Sequence, residues 1–319
     1  MTADPAVTIL TPAYNSGAYI AETVESVLRQ TCGDFELLVI DDGSTDDTLE
    51  AVRAAARGDS RVKTFTSPHG GPASARNVGL LHARGRFITL LDSDDVWDPR
   101  YLSEQLSLLH RHPEVAIVSA NVANRGGRRD GAPFWPATSG TCVLASHEPI
   151  EREDAISVFA LFRREVVDRI GGFDPAHTGN EDYEFWLRAI DAGFVVLQNR
   201  EVLGRYRRRP GSVSSDDVRM LKGIVGVLES ARRMTGALAS ARPIIDRRLD
   251  SFRQELVKAE MRASLEKRDG VTAAERLRTL SRLRNDWKLA VGARLAGVWP
   301  DLAVGAYGLR RALLSWKRT

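Results

Sequence analysis

Through the first 120 residues the chain alternates two apolar rhythms. Short continuous runs, VTIL (7–10), FELLVI (35–40), VKTF (62–65), FITLL (87–91) and VAIVS (115–119), read as buried strands. Between them apolar positions recur at helical spacing and predict helices over about 19–30, 46–56, 72–83 and 100–111. Continuous Val/Ile/Leu strands separated by helices indicate a mostly parallel sheet covered on both faces. Ligands of such sheets bind beyond the carboxyl ends of the strands. TPAYN, DDGSTDD and DSDD each directly follow a strand, so three polar segments converge on one edge.

The rest of the chain changes character twice. Residues 121–153, with RGGRRDGAP and SHEPIERED, follow neither rhythm and are expected to form a long loop or a pair of edge strands. Long loops in compact domains are often functional. A Gly/Ser-rich stretch then precedes a helical pattern rich in Ala, Leu and Arg from Val218 onward, with a break expected at Gly270-Val271. A boundary between residues 217 and 218 follows.

Composition narrows the setting. Cys32 and Cys142 are too few and too far apart for a disulfide framework or a zinc site, so a reducing compartment is expected. VTILTP comes almost at once, without a charged segment and long apolar run before it, so no signal peptide is expected. No stretch of about 18 uninterrupted apolar residues offers a membrane span. A cytoplasmic location, with no nucleic-acid partner, is the expectation. The net charge of +3 conceals an asymmetry: residues 218–319 hold 22 Lys+Arg against 10 Asp+Glu, a net of +12. Residues 1–217 hold the remaining 23 basic and 32 acidic residues, a net of −9.

The densest chemistry lies where the strand FITLL ends in Asp92, Asp94 and Asp95. Like charges so close repel, and each is costly to desolvate unless a cation or a donor satisfies it. Alternate side chains of an extended segment share a face, so Asp92 and Asp94 can point into one crevice. Two hard oxygen donors there suit Mg²⁺ or Mn²⁺ together with substrate phosphates. Asp95 or Asp98 before Pro99 also suits the start of a helix, which accounts for one aspartate but not three. Asp41 and Asp42 end the second strand, where a carboxylate pair can accept hydrogen bonds from a nucleobase or ribose; Ser44 to Asp46 carry ordinary capping chemistry. Tyr14 offers either a stacking face for a base or a packing residue. Arg76, after GGPAS, is either a solvated helical cation or a planar fork for a pyrimidine. Glu181 and Asp182 open the helical pattern EDYEFWLRAIDAG, where acidic residues commonly stabilise a first turn. The helix's N-terminal partial charge is expected to keep Asp182 ionised at neutral pH.

Taken in order, ILTPAYN, VIDDGSTDDT, GGPASARNVGL, FITLLDSDD and GGFDPAHTGNEDYEFWLR resemble the family 2 glycosyltransferases, inverting enzymes of the GT-A fold, over roughly residues 6–214. The resemblance implies an α/β, GT-A-like nucleotide-binding fold with a mostly parallel central sheet. A nucleotide-sugar-binding half (1–120) and an acceptor-binding half (121–217) are then followed by a mainly helical, basic region (218–319). It also implies that Thr11, Tyr14, Asp42 and Arg76 hold the base, with Pro12, Asp41 and Ser93 beside them. Asp92 falls near the ribose, Asp94 binds a divalent metal (Mn²⁺ or Mg²⁺), and Asp182 is the catalytic base with Glu181 next to it. The implied donor is a nucleotide-diphosphate sugar, a UDP-sugar foremost. The implied acceptor is a saccharide or lipid-linked hydroxyl in cell-envelope polysaccharide or glycolipid synthesis. One position departs from the pattern: in RYRRRPGSVS the family often has a metal-holding histidine where this chain has Arg209. A guanidinium cannot ligate a cation, so Arg207 to Arg209, Arg207 and Arg209 foremost, are expected either to contact the diphosphate directly or to form a solvated basic loop.

Two other readings stand beside this one. A sugar nucleotidyltransferase shares the sheet but would carry a Gly-rich, Arg-containing loop after the first strand, which TPAYNSG is not. A non-catalytic nucleotide-binding scaffold is opposed by the intact D-x-D and Glu-Asp pairs. The basic region, with Trp287, Trp299, Tyr307 and Trp316 among Leu, Ala and Arg, suits an interfacial helix on an anionic membrane surface. The same face would equally pack on the catalytic domain or on a second subunit as a homo-oligomer.

Overall fold

The computed structural model describes residues 4–138, 140–152, 155–177, 179–208 and 216–298. Strands β1 (Val7–Ala13), β2 (Phe35–Asp41), β3 (Val62–Thr66) and β4 (Phe87–Leu90) alternate with helices α1 (Gly17–Leu28), α2 (Thr48–Ala56) and α3 (Pro72–His82). They pair in parallel in the order β3-β2-β1-β4. Every residue of β1 and β2 is buried, as strands covered on both faces require. Each large aliphatic side chain removed from water there contributes about 1.5–3 kcal/mol.

The sheet continues beyond β4 in a mixed pattern. After β5 (Val96–Trp97) and α4 (Tyr101–Arg111), strand β6 runs from Val115–Arg125. It does not lie beside β4, because β8 (Ala160–Arg163) inserts between them antiparallel to both. The expected simple series of parallel strands is thus interrupted once. The segment 121–153 is also more ordered than a loop: β6 extends through Arg125, β7 (Thr141–Val143) adds a short strand on one side, and α5 (Glu148–Glu151) follows. Helices α6 (Arg164–Ile170) and α7 (Glu181–Asp191) lead to β9 (Val195–Arg207), which pairs parallel to β6 and antiparallel to β5 and β7. Phe162, Phe173, Phe185 and Trp186 form an aromatic cluster that seats α7 on the sheet.

The basic region is helical through its described part: α8 (Asp217–Ala231), α9 (Arg242–Glu266), α10 (Gly270–Arg284) and α11 (Trp287–Val298). The break expected at Gly270-Val271 falls at residues 267–269 instead. Arg268 takes a left-handed conformation (φ 59°), and the Asp269 carboxylate caps α10 by accepting the Thr272 N–H. Among the described residues no helix is long and apolar enough to cross a membrane. Trp299, Tyr307 and Trp316 lie outside the described residues.

Candidate active site

A cleft of about 870 Å³ opens at the carboxyl ends of β1, β2 and β4. One wall comes from the strand-end segments: Pro12 to Asn15 at the end of β1, Asp42 after β2, and Asp92, Ser93 and Asp94 after β4. The facing wall brings Gly179, Glu181 and Asp182 at the start of α7, Tyr206 and Arg207 at the end of β9, and Arg219 and Met220 of α8. The convergence of TPAYN, the Asp42 segment and DSDD is therefore as the strand pattern requires.

On the β1–β2 side, Asp42 organises the loop before α3. Its two carboxylate oxygens accept the Gly70 and Gly71 N–H groups at 2.9 and 2.8 Å, and His69 Nδ1 lies 2.9 Å from Oδ2. Gly71 sits at φ 84°, a conformation that favours glycine and lets Pro72 begin α3 directly. The His69 ring stacks on Tyr14 with centroids 4.1 Å apart, and Tyr14 stays 43 % exposed. Asp41 and Thr11 do not line the cleft. Asp41 accepts the Ser44 N–H at 3.2 Å, and Thr11 is buried within β1, its hydroxyl without a partner among the described residues.

The centre is held by Arg76. Its guanidinium is buried, with Nη1 donating to Glu181 Oε1 at 2.6 Å and Nη2 donating to Asp92 Oδ1 at 2.7 Å. Burial disfavours the charge, but Asp92, Glu181 and Asp182 outweigh that and hold Arg76 protonated. The fork read from sequence as a pyrimidine contact is thus engaged with two carboxylates from opposite walls. Glu181 is engaged on its other oxygen too, since Oε2 accepts the Gly179 N–H at 2.7 Å. Asp182 accepts the Tyr183 N–H at 2.8 Å and faces the cleft. Burial pushes its carboxyl up to about 6 and Glu181 adds to the rise, while Arg76 and the Tyr183 N–H oppose it. Arg76 and the Tyr183 N–H favour the ionised form, but desolvation and the neighbouring carboxylate are stronger.

The aspartates after β4 take distinct surroundings. Ser93 shares a 2.7 Å hydrogen bond with the Ser16 hydroxyl. Asp95 is fully buried; its Oδ1 accepts the Arg207 N–H at 2.7 Å, and Oδ2 has no partner among the described residues. Burial, then Asp94 and Asp92, push the Asp95 carboxyl well above the ordinary range. Arg207 lines the cleft, but its guanidinium donates to the Asp94 carbonyl at 2.8 Å and to Glu22, which also accepts from Arg125. Arg209 lies outside the described residues.

His69, Tyr206, Arg219 and Met220 are cleft residues the sequence did not single out. His69 had a signal in its place before Gly70-Gly71. Arg219 and Met220 had none, since they lie past the boundary at 217. Elsewhere, Asp174, His177 and Glu184 bring possible ligand atoms within 4.8 Å of one another. There Glu184 already accepts Arg188 Nε on both oxygens at 2.7 and 2.9 Å, and Arg188 in turn ties down the Ile170 and Gly172 carbonyls.

A sheet whose parallel strands β1, β2 and β4 open at their carboxyl ends on one carboxylate-lined cleft has the ligand-binding arrangement of an α/β protein. The sequence profile of glycosyl transferase family 2 matches residues 8–171. The chain is 30% identical over 223 residues to the Escherichia coli UDP-Glc:alpha-D-GlcNAc-diphosphoundecaprenol beta-1,3-glucosyltransferase WfgD, covering 69% of this chain and 83% of that one. It is 29% identical over 214 residues to TuaG of Bacillus subtilis (strain 168), a glycosyltransferase assigned to teichuronic acid biosynthesis, covering 66% and 82%. The structure of the mannosyltransferase PcManGT from Pyrobaculum calidifontis, in complex with GDP-Man and Mn²⁺, superposes with a TM-score of 0.62 at 22% identity, covering 93% of this chain and 88% of that one. The chain belongs to glycosyl transferase family 2, has the GT-A fold, and is a glycosyltransferase.

Proposed function

We propose that the protein is an inverting transferase that moves a sugar from a uridine diphosphate donor to the hydroxyl of a lipid-linked or saccharide acceptor, in cell-envelope polysaccharide or glycolipid synthesis. The arrangement that carries this reading is the Arg76 bridge, which holds Asp92 of the D-x-D opposite the Glu181-Asp182 pair in one cleft. The base of the donor stacks on exposed Tyr14, with Asp42 and Ser93 nearby, and its ribose lies toward Asp92. Inversion needs attack from the face opposite the leaving diphosphate, with one carboxylate taking the acceptor's proton. The acceptor oxygen bonds to the anomeric carbon, the bond from that carbon to the diphosphate oxygen breaks, and the hydroxyl proton passes to Asp182. Glu181 is unsuited to this, because both its oxygens already accept hydrogen bonds from Arg76 and Gly179.

A divalent cation fits the residues present. Asp92 and Asp94 present hard carboxylate oxygens to the cleft, and Oδ2 of buried Asp95 beside them has no partner among the described residues. Asp94, with Asp92, would hold it, and when bound it would stabilise the charge on the leaving diphosphate. The relative from P. calidifontis was solved with Mn²⁺, and WfgD is named for a UDP-sugar donor and a diphosphate-linked lipid acceptor.

The protein works in the cytoplasm at the inner face of the plasma membrane. The feature that favours this is an exposed stripe on α11, Trp287, Val291, Leu295 and Val298, with Lys288 and Arg294 beside it. A second copy of the chain is the competing occupant of that stripe.

The activity is tested by incubating the protein with UDP-sugars and Mn²⁺, with and without a lipid and saccharide acceptor pool. Acceptor-dependent release of UDP is expected. Release of pyrophosphate from a nucleoside triphosphate and a sugar phosphate would make it a nucleotidyltransferase; nucleotide binding without turnover would make it a scaffold.

A further inference from the structure

Helix α8 belongs by charge and pattern to the basic C-terminal region, yet its first turns stand over the catalytic cleft. Arg219 and Met220 line that cleft near Gly179 and Asp182. Arg219 also lines a second, solvent-open cavity of about 490 Å³ between α8 and the turn at residues 175–177. The two cavities therefore meet at one side chain. Lys222 lies three residues beyond Arg219, on the same exposed face of the helix, and lines the second cavity as well. Gly223 and Gly226 form part of its wall, so no side chain of α8 fills the space there.

The charges of this second cavity are unevenly satisfied. Arg219 has no carboxylate within salt-bridge distance among the described residues, and the Lys222 ammonium has one partner, Glu260 at 3.2 Å, while staying largely exposed. His177 is already committed, with Nδ1 against Asp174 at 3.1 Å and Nε2 against the Ser230 hydroxyl at 3.1 Å. The acidic group in the lining, Asp216, is turned to helix capping and accepts the Arg219 N–H at 3.0 Å. A guanidinium and an ammonium thus face a cavity large enough for a phosphate with its substituents, on the side of the cleft where Asp182 stands. Hydroxyls of a neutral sugar do not call for two cations; phosphate oxygens do.

We infer that the second cavity is an acceptor subsite for a phosphate group, held by Arg219 and Lys222, which orients a phosphate-bearing acceptor so that its hydroxyl reaches Asp182. This rests on the transferase reading above and adds the acceptor's chemical class to it. A diphosphate-linked lipid and a polymer with phosphodiester links share this chemistry, and the test separates them.

The full chain is saturated with UDP and titrated calorimetrically with geranyl diphosphate in one arm and glycerophosphoglycerol in the other. Saturable binding of at least one probe is expected, with Kd raised tenfold or more in Arg219→Gln and Lys222→Gln; the probe that binds identifies the source. Both side chains are exposed, so the variants are expected to fold, and circular dichroism checks this. The inference is overturned if neither probe binds the UDP-saturated protein, or if both variants bind like wild type. It is also overturned if binding to the free protein vanishes once UDP is present, since the probe was then occupying the donor's own diphosphate region. Failure of UDP itself to bind would instead defeat the donor reading, and the probe titrations on the free protein would still decide the cavity.

Discussion

Arg76 divides the adjacent pair Glu181-Asp182 into two chemical roles. In the mechanism we propose, Arg76 and the Gly179 N–H take the two oxygens of Glu181 and make that carboxylate a support, and Asp182 is left to meet the acceptor. A carboxyl near 6 is well suited to a base working close to neutral pH, being mostly ionised there yet able to take a proton. With substrate saturation excluded, kcat/KM is expected to fall about tenfold per pH unit below about 6, as Asp182 becomes protonated. The linkage runs the same way for stability. The folded value lies above the ordinary 3.8, so the fold favours the protonated form, and stability is lost as pH rises from about 4 through about 6. Asp182→Asn is therefore expected to cut turnover by about 10²–10⁴ while raising the melting temperature at pH 7.5 and leaving UDP affinity nearly unchanged. A variant that kept turnover within tenfold of wild type would move the base elsewhere. Arg76→Lys is expected to reach only one of its two carboxylates, lowering kcat more than donor affinity. Arg76→Met leaves Glu181 buried and unpaired and should cost about 3–5 kcal/mol in a urea titration. Asp94 and Asp182 were legible as candidates because each sits at the end of a strand or the start of a helix in a recognisable run. The pairing of Arg76 with Glu181 was not, since Glu181 lies 105 residues further along and nothing local to GGPASAR specifies it.

At the scale of elements, the local rhythm carried the parallel half of the sheet and failed at β8 and α8 for different reasons. A four-residue strand such as ALFR has no period long enough to reveal its direction, so its antiparallel insertion between β4 and β6 is a tertiary outcome. Helix α8 was recognised as a helix, but its charge and composition assigned it to the C-terminal region, whereas packing brings its Arg219 and Met220 to the candidate cleft. The contact responsible is close. A Cβ at Gly223 would lie 2.0 Å from Asn180 Nδ2, and Asn180 immediately precedes Glu181 and donates weakly to the Met220 carbonyl at 3.5 Å. Gly223→Ala must push the buried Asn180 side chain aside and with it the start of α7. Overpacking of this kind costs about 1–3 kcal/mol, and the greater effect should fall on turnover, because the displaced turn carries Asp182. Parallel measurement of kcat and of the urea midpoint checks this. A loss of stability with kcat unchanged would mean that α8 only covers α7 and does not position it.

For the whole molecule, the charge asymmetry poses the question of what the basic helices face. Part of their charge is spent internally: Arg276 and Lys222 meet Glu260, Arg253 meets Glu229, and Arg232 meets Asp246. Exposed pairs of this kind contribute little, about 0–1 kcal/mol each, so they do not explain a net of +12. The apolar stripe of α11 has a spacing that puts Trp287, Val291, Leu295 and Val298 on one face while Ala293 is buried on the other. Arg294 falls among the stripe residues and the Lys288 ammonium stands 5.9 Å from the Trp287 ring, a mixture better matched to a headgroup layer than to a dry helix interface. Full-length protein is therefore expected to sediment with vesicles containing anionic lipid, and weakly or not at all with neutral ones, with binding reduced by added salt. Trp287→Glu combined with Leu295→Glu should abolish sedimentation and leave UDP affinity intact, since neither residue touches the cleft. If the wild type stays in the supernatant with both vesicle types at low salt, the membrane reading fails. A concentration-dependent dimer lost in the same double variant would then assign the stripe to a second copy of the chain.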